Sequence, residues 1–211
     1  MKKIFLLSVL SLIISASAAS AKNGAYVGID FLEARTKHIY KPMDSSAYFT
    51  KDFASNTRDK SNGFGINAGY KFNIASSKAF VAPEIFYEYI NNKAEDFFAG
   101  FDPGTSGLDT LTIKDRFGAK VNLGYEVNEK FSLFVNAGVT KVKYGVHFKN
   151  KSAVTYETAM IYGLGASYNI TNNVALKLSY DKQNFNAKYF YEGSRDTIRL
   201  NVLKVGVAYN F

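Results

Sequence analysis

From Phe64 to Phe72 the chain reads Phe-Gly-Ile-Asn-Ala-Gly-Tyr-Lys-Phe. Phe64, Ile66, Ala68, Tyr70 and Phe72 share one parity, and Gly65, Asn67, Gly69 and Lys71 the other. A period of two is the repeat of a β-strand with one apolar and one polar face, and no helical period fits it. The same alternation recurs along the chain. Ile113, Phe117, Ala119, Val121, Leu123 and Tyr125 oppose Lys114, Arg116, Gly118, Lys120, Asn122 and Gly124. Phe131 to Val139, Tyr162 to Ile170, Val174 to Tyr180 and Leu203 to Phe211 repeat it. Weaker versions run through Val27, Ile29 and Phe31, and through Val81, Ile85, Tyr87 and Tyr89. The pattern predicts eight strands.

Tight turns carrying Asn, Ser or Lys fall at 75–78, 128–130 and 171–173. Long polar segments lie between them, at about 37–61, 91–111, 145–153 and 184–197. Short turns at one end, long loops at the other and alternating strands of about ten residues are the signature of a transmembrane barrel. A soluble barrel of lipocalin type has the same period. Three features oppose it. The non-apolar face is mostly Gly, Ala, Ser and Asn, which suits a narrow lumen. Rings gather at the short-turn ends (Tyr70, Phe72, Tyr125, Phe131, Tyr168, Tyr209), as an interfacial girdle requires. The chain also closes on an apolar strand ending in Phe211. The expected fold is all-β: an eight-stranded antiparallel up-and-down transmembrane β-barrel with short periplasmic turns and long extracellular loops.

The first residues stand apart. Met1-Lys2-Lys3 is a positive start, Ile4 to Ile14 an apolar core, and Ala19-Ser20-Ala21 a small-x-small cleavage pattern. This predicts a cleaved signal peptide over 1–21, with Ala19 and Ala21 at the cleavage site, and a single barrel domain over 22–211. Loss of Lys2 and Lys3 would take the net charge from +8 down by two, to +6. The 211 residues include no cysteine and two histidines, His38 and His147. That excludes disulfides and thiolate chemistry, and it leaves no His-rich metal site. No cofactor is expected. The two histidines fall near the long-loop side and read as ordinary solvated residues, so an enzyme carries the least weight. The Gly63–Gly69 stretch misses the dinucleotide spacing and sits in a strand. The positive charge is spread out, so no nucleic-acid partner is expected.

The whole 190-residue stretch resembles the eight-stranded OmpA/OmpX-type and opacity-protein-like outer-membrane barrels of Gram-negative bacteria. The residues that carry the resemblance are Leu203-Lys-Val-Gly-Val-Ala-Tyr-Asn-Phe211, Gly69-Tyr70, Gly124-Tyr125 and Phe80-Val-Ala-Pro-Glu84. The resemblance implies a Gram-negative outer-membrane location, and it implies that Tyr209 and Phe211 form the signal read by the barrel-insertion machinery. It also implies a surface role, often host-cell or matrix binding. Outer-membrane lipids and lipopolysaccharide are the surrounding partners, and a monomer is expected.

Two departures stand out. Pro83 lies inside a strand where it cannot donate to the ladder, so it belongs near the periplasmic rim or at a bulge. Ile198, Leu200 and Val202 share one parity but Leu203, Val205 and Val207 the other, which predicts a bulge near Val202. The lumen face should hold Asp30, Glu84, Glu88 and Asp181 with Lys71, Lys114, Arg116, Lys120, Lys177 and Lys204. Ions inside a membrane domain must be paired or hydrated. The bland reading is a stabilising plug, and the sharper one a narrow conduit favouring anions because six bases face four acids. In the loops, Tyr40, Tyr48, Phe49, Phe53, Phe97, Phe98 and Phe101 read either as binding contacts or as rings folded back onto the rim.

Overall fold

In the computed structural model, residues 23–41, 59–74, 77–94, 110–148, 151–187 and 195–211 are described. The signal segment lies outside them, as do Tyr48, Phe49, Phe53, Phe97, Phe98 and Phe101. The eight strands are β1 (Gly24–Lys41), β2 (Asp59–Asn73), β3 (Ala79–Ala94), β4 (Thr110–Glu126), β5 (Phe131–Phe148), β6 (Lys151–Asn169), β7 (Val174–Ala187) and β8 (Arg195–Asn210). Each pairs antiparallel with its sequence neighbour, and β1 pairs with β8 to close the barrel. At the level of the lipid-facing residues closure leaves no free edge strand, as a lipid-embedded sheet requires, while above it β6 from Lys151 to Met160 has no partner on β7.

The short-turn end is tied by local side chains. The Asn128 side-chain oxygen accepts from the Lys130 and Phe131 amides at 2.9 and 2.8 Å. Thr171 Oγ1 accepts from the Val174 amide at 3.0 Å. The start of β1 and the end of β8 meet at this rim, where the Phe211 amide donates to the Ala25 carbonyl at 3.0 Å.

Parity then divides the side chains. Ile29, Phe31, Phe64, Ile66, Ile85, Val135, Met160 and Leu164 point outward and are more than half exposed. So much exposed apolar surface is stable only against lipid. The rings of Phe72, Tyr125, Tyr168, Tyr209 and Phe211 edge this band at the short-turn end. Tyr209 and Phe211 meet edge to face, with centroids 5.1 Å apart.

The strands, at 14 to 19 residues, exceed the ten read from the sequence. An 18-residue strand such as β5, tilted by about 40°, rises roughly 45 Å, whereas the apolar band of such barrels is about 25 Å tall. The wall therefore continues past the membrane at the long-loop end. There the polarity inverts. Glu33, Arg35, Lys60, Lys141, Lys182 and Arg199 face outward, while Leu32, Ile90, Val142, Tyr144, Leu200 and Val202 close into a buried apolar cluster.

The structure corrects three sequence expectations. Ile198, Leu200 and Val202 are fully buried, yet β8 keeps one register with β1 and β7 throughout, so there is no bulge near Val202. Apolar residues appear at both parities because they leave the outer face where lipid ends and enter the inner one. The segment 145–153 is not a long loop: β5 runs to Phe148 and β6 starts at Lys151, continuing the same ladder. Ile113 does not face lipid. A register shift between Ile113 and Asp115 inserts one residue into β4 and turns Ile113 inward, where it is 1% exposed. A matching shift on β3 falls between Tyr89 and Asn92, around Asn91 with φ 46°. Asparagine is among the few non-glycine residues that adopt this left-handed conformation readily.

Pro83 faces outward near the short-turn rim and pairs with Val121. On its other side the β2–β3 pairing lapses between Gly69↔Glu84 and Phe72↔Val81, with the register unchanged. A missing amide donor explains the gap.

Candidate functional site

Inward positions form three layers. Nearest the short turns lie Tyr26, Phe80, Ala82, Phe134 and Ala208. Small inward residues make room for these rings: a Cβ on Gly124 would overlap the Phe80 ring, and one on Gly165 the Phe134 ring.

The middle layer is ionic. Arg116 Nε donates to Glu88 Oε2 at 2.6 Å and Arg116 Nη1 to Gln183 Oε1 at 2.8 Å. Lys204 Nζ bridges Glu88 Oε1 at 2.9 Å and Asp181 Oδ2 at 2.5 Å. Lys120 Nζ lies 3.3 Å from Glu84 and 3.5 Å from Asp181. Lys177 Nζ donates to Glu84 Oε2 at 2.8 Å, and the Tyr26 hydroxyl donates to the same oxygen at 2.8 Å. Asn136 donates to Asp181 Oδ1 at 3.0 Å, and Asn67 to Asp30 Oδ2 at 2.8 Å. The Phe86 ring sits among Arg116, Lys120 and Lys204, each within 6 Å of its centroid. Glu84, Glu88 and Asp181 each contact at least two cations, which is the condition under which buried charge is tolerable.

Above this layer the apolar cluster already described fills the bore. The three layers together occupy the lumen, as expected for eight strands.

The structure gathers eight of the ten lumen positions: Asp30, Glu84, Glu88, Asp181, Arg116, Lys120, Lys177 and Lys204. Lys71 is separate. It pairs with Glu126 at 2.5 Å near the short-turn rim and lies 4.5 Å from the Phe80 ring centroid. Lys114 sits at the β4 bulge and enters no ion pair with a described residue. The gathered set is therefore balanced, four acids with four bases, and the excess of bases read from the sequence falls away. Sequence reasoning passed over Tyr26, Asn67, Asn122, Asn136, Thr140 and Gln183, which hydrogen-bond within the layer. Their parity was the available signal, since each shares the inward face with the charges.

His38 and His147 lie on β1 and β5, on opposite walls of the ring. Tyr40 extends β1 opposite Asp196. Among the described residues, no group of three or more His, Asp or Glu could hold a metal.

A closed eight-stranded barrel with a lipid-facing apolar band, an aromatic rim and a compensated ionic interior defines a small outer-membrane protein of a Gram-negative bacterium. The chain belongs to the outer membrane protein beta-barrel domain family, whose description matches residues 4–211. Comparison with curated protein sequences gives no match. Among solved structures it is similar to Ail, the attachment invasion locus protein of Yersinia pestis, solved in complex with the heparin analogue sucrose octasulfate. Identity is 17%, the match covers 90% of this chain and 99% of that one, and the TM-score is 0.52. Neisserial surface protein A is similar at 17% identity, with 89% and 97% covered and a TM-score of 0.53. OprG from Pseudomonas aeruginosa follows at 12% identity, 90% and 97% covered, and a TM-score of 0.50. These likenesses are of fold.

Proposed function

We propose that the protein is a surface-exposed scaffold whose long outer segments bind other surfaces, as an adhesin or surface antigen with a host-cell or matrix partner. The observation that carries this reading is the filled lumen beneath a wall that rises past the membrane. A plug with four acids and four bases leaves the barrel little to do as a conduit, so its distinctive surface is the outer rim. Loops held by a rigid barrel are where binding residues concentrate. The company of Ail, named for attachment and invasion, and of a neisserial surface protein supports the reading without assigning any residue. The barrel acts as a monomer, uses no cofactor and performs no catalysis. Tyr209 and Phe211 serve as the assembly signal, residues 1–21 as a cleaved export signal, and 22–211 as one domain.

The test is display on a non-adherent bacterium, counting cells bound to host-cell monolayers. A control variant has segments 42–58 and 95–109 shortened, which leaves every strand intact. Binding that depends on those segments is expected. Adherence no better than that of empty cells, with the barrel confirmed in the outer membrane by heat-modifiable gel mobility, would overturn the reading.

A further inference from the structure

Above the membrane the wall is two sheets and not one ring. The β2–β3 ladder has its last rung at Phe64↔Tyr89, although β2 begins at Asp59 and β3 runs on to Ala94. The β6–β7 ladder has its last rung at Ile161↔Gln183, although β6 begins at Lys151 and β7 runs on to Ala187. The ladders between these breaks continue upward: Lys41 faces Arg195, Ala94 faces Leu111, and Phe148 faces Lys151. Among the described residues, the first blade is therefore β7–β8–β1–β2, and the second, on the other side of the ring, is β3–β4–β5–β6.

What joins the blades is side-chain packing. Leu32, Ile198 and Leu200 of the first meet Ile90, Ile113 and Tyr144 of the second in the buried apolar cluster. The Tyr144 and Phe185 rings pack across with centroids 5.9 Å apart, and Thr36 Oγ1 donates to Asn92 Oδ1 at 3.0 Å. The second blade carries both register shifts at its foot, between Tyr89 and Asn92 and between Ile113 and Asp115, with Asn91 at φ 46°. Bulges bend the strands that hold them, and a few such residues make a hinge. Phe64 and Tyr180 are the last outward apolar residues of β2 and β7, so both breaks fall where lipid gives way to water. A free strand edge is excluded below that level and hydrated above it.

We infer that the outer storey is a two-bladed clamp. The second blade swings about the bulges at Asn91 and Lys114 and parts from the first, while the membrane storey keeps its closed ring. Opening separates the apolar cluster and the Tyr144–Phe185 rings but breaks no rung of any ladder. Each blade therefore moves as a unit, at lower free energy than unfolding of the barrel. The device leaves the ionic plug in place and is independent of what the long segments bind.

Spin-label distances in lipid vesicles test it, and the cysteine-free chain allows each labelled pair to be introduced cleanly. Lys60 and Asn184 are exposed on the first blade, Lys93 and Thr158 on the second. Within a blade, Lys60→Cys with Asn184→Cys, and Lys93→Cys with Thr158→Cys, should each give one distance. Between blades, Lys60→Cys with Thr158→Cys, and Lys93→Cys with Asn184→Cys, should each give two. Adding Phe185→Ala removes a ring packed between the blades. It should raise the longer-distance population about tenfold and leave the within-blade distances as they were. Thr36→Val, which removes the hydroxyl bonded to Asn92, should move the same population in the same direction. Folding of each variant is checked by heat-modifiable mobility. One narrow distance for all four pairs, unchanged by either variant, would overturn the clamp. So would within-blade distances as broad as those between blades, which is the mark of strands fraying one by one.

Discussion

The Arg116 guanidinium and the Glu88 carboxylate lie 2.6 Å apart at the centre of the lumen, both side chains sealed from solvent. Lys204 holds the second Glu88 oxygen, so the carboxylate is shared by two cations from two strands. Arg116 is the register partner of Glu88 on the neighbouring β4, and Lys204 ties β3 to β8 across the bore, where no backbone ladder can reach.

Removing one member leaves a buried charge without compensation. Glu88→Ala should cost about 3–5 kcal/mol, read by urea unfolding in lipid vesicles. The double change Glu88→Leu with Arg116→Met should recover much of that loss, because matched apolar replacement removes both desolvation costs. A double variant no more stable than Glu88→Ala would contradict the network account.

The two storeys of the barrel should respond oppositely to substitution. Leu200 points into the outer apolar cluster, and Leu200→Ala should cost about 2–5 kcal/mol, as in a soluble core. Val205 faces lipid on the same strand, so Val205→Arg should cost about 2–4 kcal/mol, while Asn62→Arg, exposed above the band and opposite Glu33, should cost little. The same unfolding assay separates the three.

How much of this was legible depends on where the rules of burial change. Parity alone placed Glu84, Glu88, Asp181, Arg116, Lys120, Lys177 and Lys204 on one face, and the closed barrel then brings them together. Parity failed at Ile113, because one inserted residue in β4 turns its side chain inward. It also misled at Val202, where a change of surroundings from lipid to water imitates a bulge. Glu84–Lys120 and Glu88–Arg116 are ladder neighbours on β3 and β4, but the contacts of Lys204 with Glu88 and of Lys177 with Glu84 were beyond reach, since they depend on which strands face each other across the bore.

Gly206 marks a close approach. A Cβ there would overlap Asp30 Oδ1 and the Ile29 carbonyl, so Gly206→Leu should destabilise by about 1–3 kcal/mol. Gly145→Ala is the comparison: its added carbon would lie 3.7 Å from the nearest atom, and the change should stay within about 0.5 kcal/mol. Thermal loss of heat-modifiable mobility reports both.

Tyr209→Ala combined with deletion of Phe211 should lower the amount of folded barrel in the outer membrane of cells. Refolding of the purified chain into vesicles should change far less, since the lost contacts at the rim are the Tyr209–Phe211 ring pair and one amide bond to Ala25. Equal defects in both assays would make these residues structural and not an assembly signal.

The most direct test of the sealed-lumen account is conductance of the purified barrel in planar bilayers. The layered interior of rings, balanced ions and apolar cap is expected to give no sustained openings above the bare bilayer. Stable channels that disappear in the combined Lys120→Ala and Lys177→Ala variant would contradict it and move the function from the outer rim into the bore.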